Sequence, residues 1–130
     1  MAKGFTQNEG INFTKVFSPV VRHASIKIIL ALVVVQDMHL EQIDVKTAFL
    51  CGELQEEIVI QQPERYVTSG KEDCVCLLKK SLYGLKQSPR QWYLKFDNFM
   101  ITHAFNMCSC DCCVYFKETS GERMIYLCCI

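Results

Sequence analysis

Residues 78–97 read LKKSLYGLKQSPRQWYLKFD, and the second half of this stretch has the pattern of a helix start. Ser88 stands at the N-cap position, Pro89 follows where its missing N–H costs nothing, and Gln91 is placed to reach back to the cap. Four apolar residues then recur at helical spacing: Trp92, Phe96, Phe99 and Met100. We therefore expect an amphipathic helix over residues 89–103 with one strongly apolar face.

Strand-like segments lie on both sides of this helix in the sequence. After it, residues 113–117 and 124–130 are apolar β-type runs separated by ETSGE at 118–122, which predicts a hairpin. Before it, residues 58–60 and 74–78 have the composition of two short strands, and a turn signal lies between them. The sequence therefore predicts antiparallel pairs on both sides of the helix.

Further towards the N-terminus, Ser25 is a candidate N-cap for a helix that continues to Gln36. The run IILALVVV at 28–35 is far shorter than the ~20 residues of a membrane span, so it predicts a buried helix. Polar and apolar residues alternate through 41–45, which predicts a strand with Asp44 near its end. Helices mixed with antiparallel strands indicate the α+β class, and we expect residues 1–130 to form one domain.

Composition limits the classes of function. The 130 residues contain 14 basic and 14 acidic side chains, so no global positive field attracts nucleic acid, and any such contact must be local. Nine cysteines are present, but the N-terminus MAKGFTQNEG lacks the apolar core of a secretory signal. We therefore expect reduced thiols and an intracellular protein, either cytoplasmic or nuclear, without a membrane partner.

Three long segments carry a family resemblance: residues 2–22, AKGFTQNEGINFTKVFSPVVR; 41–54, EQIDVKTAFLCGEL; and 78–97, quoted above. In this order and spacing they resemble the reverse transcriptase of copia-type retrotransposons, and the likeness continues through DCCVYFK at 111–117. The resemblance implies part of a right-hand polymerase, with fingers and an incomplete palm. Its partners would be an RNA or DNA template-primer, a deoxynucleoside triphosphate and the remainder of the pol polyprotein.

The resemblance also implies site residues. Such polymerases use two divalent ions, Mg²⁺ or Mn²⁺, held by carboxylate oxygens. Asp44 matches the catalytic first metal ligand, and the backbone carbonyl of Val45 matches a weaker contact to the same ion. The matched nucleotide-binding positions are Ala48, Phe49, Tyr83 and Gly84, with Phe49 as the ring that excludes a 2′-hydroxyl. The matched nucleic-acid contacts are Lys86, Gln87 and Arg90.

The family's Tyr-x-Asp-Asp hairpin does not occur in these 130 residues, which contain no Asp-Asp pair. One carboxylate carries too little charge to hold two strongly hydrated ions. We therefore expect a fragment of an RNA-directed DNA polymerase that is cut before this motif and is inactive alone. The alternative is a non-catalytic nucleic-acid-binding or interaction remnant of a decayed retroelement.

Each residue also has a structural interpretation. Without the resemblance, Asp44 is a capping or surface carboxylate, Phe49 a core aromatic, Tyr83-Gly84 an ordinary turn and the basic residues a solvated face. The cysteines Cys108, Cys110, Cys112 and Cys113 suggest a zinc site, but their alternation differs from the usual C-x₂-C spacing. We interpret them as coincidental free thiols. The resemblance implies that Cys110, Cys112, Cys128 and Cys129 stand where the family more often carries Tyr, Pro or Leu.

Overall fold

The computed structural model describes residues 4–121 and 123–130 of the chain. Its helices are α1, His23–Val35, and α2, Ser88–Thr102. The strands of this part of the chain are β1, Val59–Gln61; β2, Val75–Leu77; β3, Asn106–Met107; β4, Val114–Thr119; and β5, Arg123–Cys128. All strand pairings are antiparallel, β1 with β2 and β3-β4-β5 in a second sheet, so the expected mixture of helices and antiparallel strands is confirmed.

The fold divides into two compact units that share the chain between them. The first unit takes the described part of residues 1–17 together with 47–95, and the second takes 18–46 and 96–130. Because the chain passes from one unit to the other three times, the units are interleaved in sequence. The boundary at Lys95 and Phe96 falls within α2, so that helix contributes residues to both units.

The first unit contains the β1–β2 hairpin and the N-terminal half of α2. Val59 pairs with Leu77 and Gln61 with Val75, which confirms the antiparallel pair predicted there. Gln62 orders the connecting loop, since its Nε2 donates to the carbonyls of Lys71 and Cys74 at 2.6 and 2.9 Å. The buried apolar residues of this unit are few: Phe13, Ile58 and Leu85.

Helix α2 begins at Ser88, within one residue of the predicted start, but the serine hydroxyl is used differently from the prediction. Ser88 Oγ donates to the carbonyl of Leu82 at 2.7 Å and shares a hydrogen bond with Ser81 Oγ. Both hydroxyls are almost fully buried, and an unsatisfied hydroxyl in such a place is costly. The pair therefore attaches the loop before α2 to its first turn.

The second unit is built on the β3-β4-β5 sheet. The β4–β5 register runs from Val114 opposite Cys128 to Thr119 opposite Arg123, which confirms the predicted hairpin. Strand β3, which the sequence pattern did not indicate, adds to the other edge of β4. Tyr115 is completely buried and donates its phenol O–H to Asp97 at 2.8 Å. A fully buried phenol needs such an acceptor, so this bond fixes β4 to the C-terminal half of α2.

Asp111 caps helix α1 from a distant part of the sequence. Its Oδ2 accepts the backbone N–H of Arg22 at 2.9 Å and the hydroxyl of Ser25 at 2.6 Å, while Oδ1 accepts the backbone N–H of Cys113 at 3.0 Å. The hydrogen bonds from Ser25 and Arg22 lower the pKa of the Asp111 carboxyl. A buried carboxylate at a helix N-terminus satisfies free N–H groups and complements the helix dipole. The prediction of Ser25 as the N-cap was wrong, because the helix starts at His23 and Ser25 supports the capping carboxylate.

The prediction that the apolar run 28–35 is buried was also wrong. None of the residues of α1 is buried, although Ile26 and Ile29 pack against the core of Val21, Cys113 and Val114. Val34 and Val35 are 80% and 81% exposed. The run is apolar on every side of the helix, whereas one small core can cover only one of those sides.

The predicted strand over residues 41–45 is absent from the described structure, where this segment has no regular conformation. Its backbone pairs with no strand of either sheet, and Ile43 is 77% exposed. Alternation of polar and apolar residues forms a strand only when a neighbouring strand accepts its hydrogen bonds and one face is covered. Neither condition is met by the described residues around Asp44.

Among residues 4–121 and 123–130, no helix combines the length and the apolar character needed to span a bilayer.

Replacement of Asp111 by alanine should destabilise the second unit. The change leaves the N–H groups of Arg22 and Cys113 without their acceptor, and a loss of this kind typically costs about 1–3 kcal/mol. Urea unfolding followed by circular dichroism measures the difference. Asp73→Ala, at an exposed turn carboxylate, is the control and should unfold as the unchanged chain does. Equal midpoints for the two variants would contradict the capping role.

Acid should remove the stabilisation that the Asp111 carboxylate gives to the second unit. Because the pKa of Asp111 is lowered on folding, its stabilisation is fully present above the unfolded-state value of about 3.9 and is lost as the pH falls through the folded-state value. Thermal unfolding of the unchanged chain and of Asp111→Asn, measured from about pH 7 to about pH 2, should therefore converge at the acid end. A stability difference that stays constant over this range would refute the linkage.

Candidate nucleotide and nucleic-acid site

A tight turn presents Tyr83 and Gly84 in the first unit. The N–H of Leu85 donates to the carbonyl of Leu82 at 3.3 Å, and Gly84 at the third position has φ 97°. That angle lies in the left-handed region, which glycine adopts without the clash of a Cβ. Close packing adds a second constraint, since a Cβ on Gly4 would collide with the Gly84 carbonyl oxygen. The conformation of this turn therefore requires glycine at position 84, and its packing requires glycine at position 4.

The turn lies against a second predicted segment. Residues Ala48–Leu50 form a 3₁₀ turn, and the ring of Phe49 meets the ring of Tyr83 edge to face, with centroids 5.4 Å apart and planes at 62°. Edge-to-face pairs at this distance are favourable because the positive edge of one ring meets the negative face of the other. The first unit thus brings together the two short segments that the sequence assigned to nucleotide binding.

Gly52 explains how the Phe49 segment approaches α2. A Cβ at this position would stand 2.7 Å from the Cβ of Gln91, closer than real side chains come. The carbonyl of Gly52 accepts the N–H of Ser81 at 2.9 Å, and Lys95 Nζ donates to the neighbouring Cys51 carbonyl at 2.9 Å. The absence of a side chain on Gly52 lets the segment pack directly on the helix.

Gln87 is completely buried, unlike the other residues assigned to nucleic-acid contact. Its Oε1 accepts the side-chain amide of Gln7 at 3.0 Å, and its own Nε2 donates to the carbonyl of Asn12 at 3.1 Å. An amide with both ends satisfied inside the protein loses these bonds if it turns outward. The geometry gives Gln87 the role of joining the N-terminal loop to the start of α2.

The two cations of the site differ in how they are held. Lys86 is exposed, donates from Nζ to the Gln7 carbonyl at 3.1 Å, and lies 4.9 Å from the centroid of the Phe13 ring. Arg90 is half-buried, and its Nη1 donates to the carbonyl of Phe17 at 3.1 Å. A guanidinium has five N–H donors, so the hydrogen bond to the Phe17 carbonyl leaves the other donors of Arg90 available to bind a ligand.

Asp44 and Val45 belong to the second unit, whereas every other predicted site residue belongs to the first. Both are exposed and lie in the irregular segment that precedes the turn at Lys46 and Thr47. Within the described ranges, the only three acidic, cysteine or histidine residues close enough to share an ion are Asp111, Cys112 and Cys113. Asp44 is therefore not part of a carboxylate cluster in this structure.

Sequence reasoning missed Gln7, which organises the first unit. Its Oε1 accepts the N–H of Lys86 at 2.9 Å, its Nε2 donates to Gln87, and its carbonyl accepts Lys86 Nζ. Nothing in the local pattern around Gln7 indicates these contacts, because the partners lie about eighty positions later in the chain. The only available signal is that Gln7 stands in the segment 2–22 that carries the family resemblance.

Comparison with known proteins gives a consistent result. The profile of the family described as "Reverse transcriptase (RNA-dependent DNA polymerase)" matches residues 1–129. The chain is 53% identical over 127 residues, 98% of its length, to the retrovirus-related Pol polyprotein from transposon TNT 1-94 of Nicotiana tabacum. It is 36% identical over the same length to the corresponding polyprotein from transposon RE2 of Arabidopsis thaliana. No solved structure matches the chain.

More distant relatives show the same type of protein. The Gag-Pol polyprotein of transposon Ty1-BL from Saccharomyces cerevisiae is 33% identical over 101 residues, which is 78% of this chain. The chain spans 10%, 9% and 6% of the tobacco, Arabidopsis and yeast polyproteins respectively. The match covers nearly the whole chain, and the relatives are plant and yeast retrotransposon polyproteins. The chain therefore belongs to the reverse transcriptase (RNA-dependent DNA polymerase) family and is a fragment of a copia-type retroelement Pol polyprotein.

Proposed function

We propose that this chain supplies part of the fingers and palm of a right-hand polymerase, including the surface that receives the incoming nucleotide and the template strand. The contact between Phe49 and Tyr83 carries the proposal, because it joins the two segments assigned to nucleotide binding from the sequence. Ala48 and Gly84 complete the proposed pocket, and neither presents a side chain large enough to fill it. Reverse transcriptases use divalent metal ions, and Asp44 is the proposed first ligand.

In this proposal, Phe49 acts through its shape. Its half-buried ring meets the Tyr83 ring edge to face, and Gly52 packs the same segment of chain closely on α2. A ring fixed beside the sugar would exclude a nucleotide with a 2′-hydroxyl by steric clash, whereas a mobile ring would not. The packing around Phe49 therefore supports selection for deoxynucleotides.

Arg90 is the stronger candidate for a phosphate contact. Its single anchor on the Phe17 carbonyl orients the guanidinium, whose remaining N–H groups can bind a phosphate through two bonds. Lys86 contributes a positive charge with fewer free donors, since one of its three N–H groups is already bound to Gln7. For Gln87 we propose a positioning role, because its amide is buried and both of its ends are engaged.

The described residues do not fit a complete two-ion site. Asp44 is exposed and has no carboxylate cluster around it among residues 4–121 and 123–130, and the sequence contains no Asp-Asp pair. Mg²⁺ loses its water reluctantly and needs several oxygen ligands in octahedral geometry. We propose that Asp44 and the Val45 carbonyl contribute to an ion site that these residues do not complete, and that the chain alone does not polymerise.

Binding of a primer-template should depend on Arg90 and Lys86. Arg90→Ala and Lys86→Ala should each weaken binding and reduce the slope of log affinity against log salt by about 1, because each removes one phosphate contact. Fluorescence anisotropy with a labelled duplex at several salt concentrations measures both effects. Lys27→Ala, which removes an exposed cation from α1, is the control and should leave affinity and slope unchanged.

The same titration tests both functions considered for this chain. Binding that is insensitive to both substitutions would exclude a role for this surface in either a polymerase fragment or a nucleic-acid-binding remnant.

Primer extension by the 130-residue chain should be undetectable with Mg²⁺ or Mn²⁺. One candidate carboxylate cannot clamp the two ions that stabilise the attacking and leaving oxygens. The assay measures template-dependent addition of labelled deoxynucleotides to a primer, with a complete reverse transcriptase as the positive control. Extension that requires the template and disappears in Asp44→Asn would show that the chain is catalytically complete, contrary to the proposal.

A further inference from the structure

A tight turn places two cysteines and an aspartate together at the start of β4. The N–H of Val114 donates to the carbonyl of Asp111 at 3.0 Å, and Cys112 and Cys113 are the two central residues of this turn. The Sγ atoms of both cysteines and a carboxylate oxygen of Asp111 lie within 4.8 Å of one another. Adjacent side chains on an extended strand point to opposite faces, so the turn is what lets both thiols face the same carboxylate.

A third thiol lies across the sheet. The β4–β5 ladder ends at Val114 opposite Cys128, and beyond it the N–H of Cys129 donates to the carbonyl of Cys113 at 2.9 Å. Cys129 therefore stands beside Cys113 on the opposite strand.

Burial and neighbouring acidic groups both act on the thiols of this cluster. Burial, and after it the neighbouring Cys112, Asp111 and Cys129, together raise the pKa of the Cys113 thiol to about 12. Burial also raises the pKa of Cys129. Several acidic groups thus lie close enough to oppose each other's ionisation, and a bound cation would reverse that opposition.

We propose that Asp111, Cys112 and Cys113 form a site for a thiophilic divalent ion of the Zn²⁺ class, and that Cys129, joined to Cys113 by the backbone hydrogen bond, completes the ligand set when the ion binds. Three thiolates and one carboxylate oxygen are a suitable ligand set for tetrahedral zinc. The carboxylate of Asp111 accepts three hydrogen bonds and offers about four lone-pair positions, so it keeps one for the ion. Each thiol that coordinates releases its proton to solvent, and no oxidation or reduction takes place.

The burial of Asp111 and Cys113 favours a specific metal site over loose binding of an ion at the protein surface. Asp111 and Cys113 are buried, while Cys112 and Cys129 are partly exposed and give an ion a path from solvent. The Cys113 backbone and the Asp111 carboxylate are already fixed by the hydrogen bonds that cap α1. An ion would therefore find two of its ligands held in place, which lowers the entropy cost of binding.

Titration of the reduced, metal-free chain with Cd²⁺ tests the proposal. Cd²⁺ bound to thiolates gives an ultraviolet charge-transfer absorption, which should grow to one equivalent and be displaced by Zn²⁺. The reductant must be a phosphine, since a thiol reductant would compete for the metal. Cys112→Ser and Cys129→Ser should each weaken Cd²⁺ binding by more than the roughly 10- to 100-fold that loss of an outer-shell partner costs.

Matched controls separate this site from unspecific thiol binding. Cys110→Ser, an exposed residue of the same segment, and Cys74→Ser, in the β1–β2 loop, should bind Cd²⁺ as the unchanged chain does. Affinity should also fall with decreasing pH, because protons compete for the thiolates. Absence of the charge-transfer absorption, or equal losses in the Cys110→Ser and Cys112→Ser variants, would overturn the proposal, and neither outcome would bear on the polymerase assignment.

Discussion

The carboxylate of Asp111 is the interaction on which the second unit depends. It accepts hydrogen bonds from the backbone at Arg22, from the hydroxyl of Ser25 and from the backbone at Cys113. Helix α1 has no acidic residue in its own first turn, and the side chain of its N-cap residue, Arg22, makes no capping hydrogen bond. The negative charge that complements the dipole of α1 therefore comes from a turn almost ninety residues later in the chain. The hydrogen bond from the Cys113 N–H to the same carboxylate orients the start of β4.

The first unit is held by a polar network instead of a large apolar core. Its buried apolar residues are Phe13, Ile58 and Leu85, while Ser81, Gln87, Ser88 and Gln91 are equally inaccessible. A buried polar network stabilises only when its groups are satisfied, and then it favours one arrangement over others. The contacts of Gln7 with Lys86 and Gln87 meet this condition. The same network fixes the turn that carries Tyr83. The hydrogen bonds that stabilise this unit therefore also determine the shape of its proposed nucleotide surface.

Two chemically different sites follow from these arrangements. The proposed polymerase surface uses aromatic shape, a guanidinium and hard carboxylate oxygens, which suit nucleotides and Mg²⁺. The proposed thiol site uses soft sulfur ligands, which suit Zn²⁺ and not Mg²⁺. The family resemblance accounts for the residues of the first site. The thiol site uses none of the residues of the polymerase surface, so the two proposals are independent.

The sequence by itself determined the family, both antiparallel hairpins and the position of α2, because these depend on local patterns and on long segments in a fixed order. Tertiary structure decided which polar groups are satisfied. No local pattern shows that Asp111 would cap α1 or that Gln7 would bind Gln87, since the partners are brought together only by the fold. Tertiary structure also decided which apolar residues are buried. The run 28–35 and the alternation at 41–45 have the composition of core elements, but a residue is buried only where other elements cover it. For Asp44 the sequence supplies the residue type and the family position, whereas a metal site needs neighbouring ligands, which only a folded arrangement can provide.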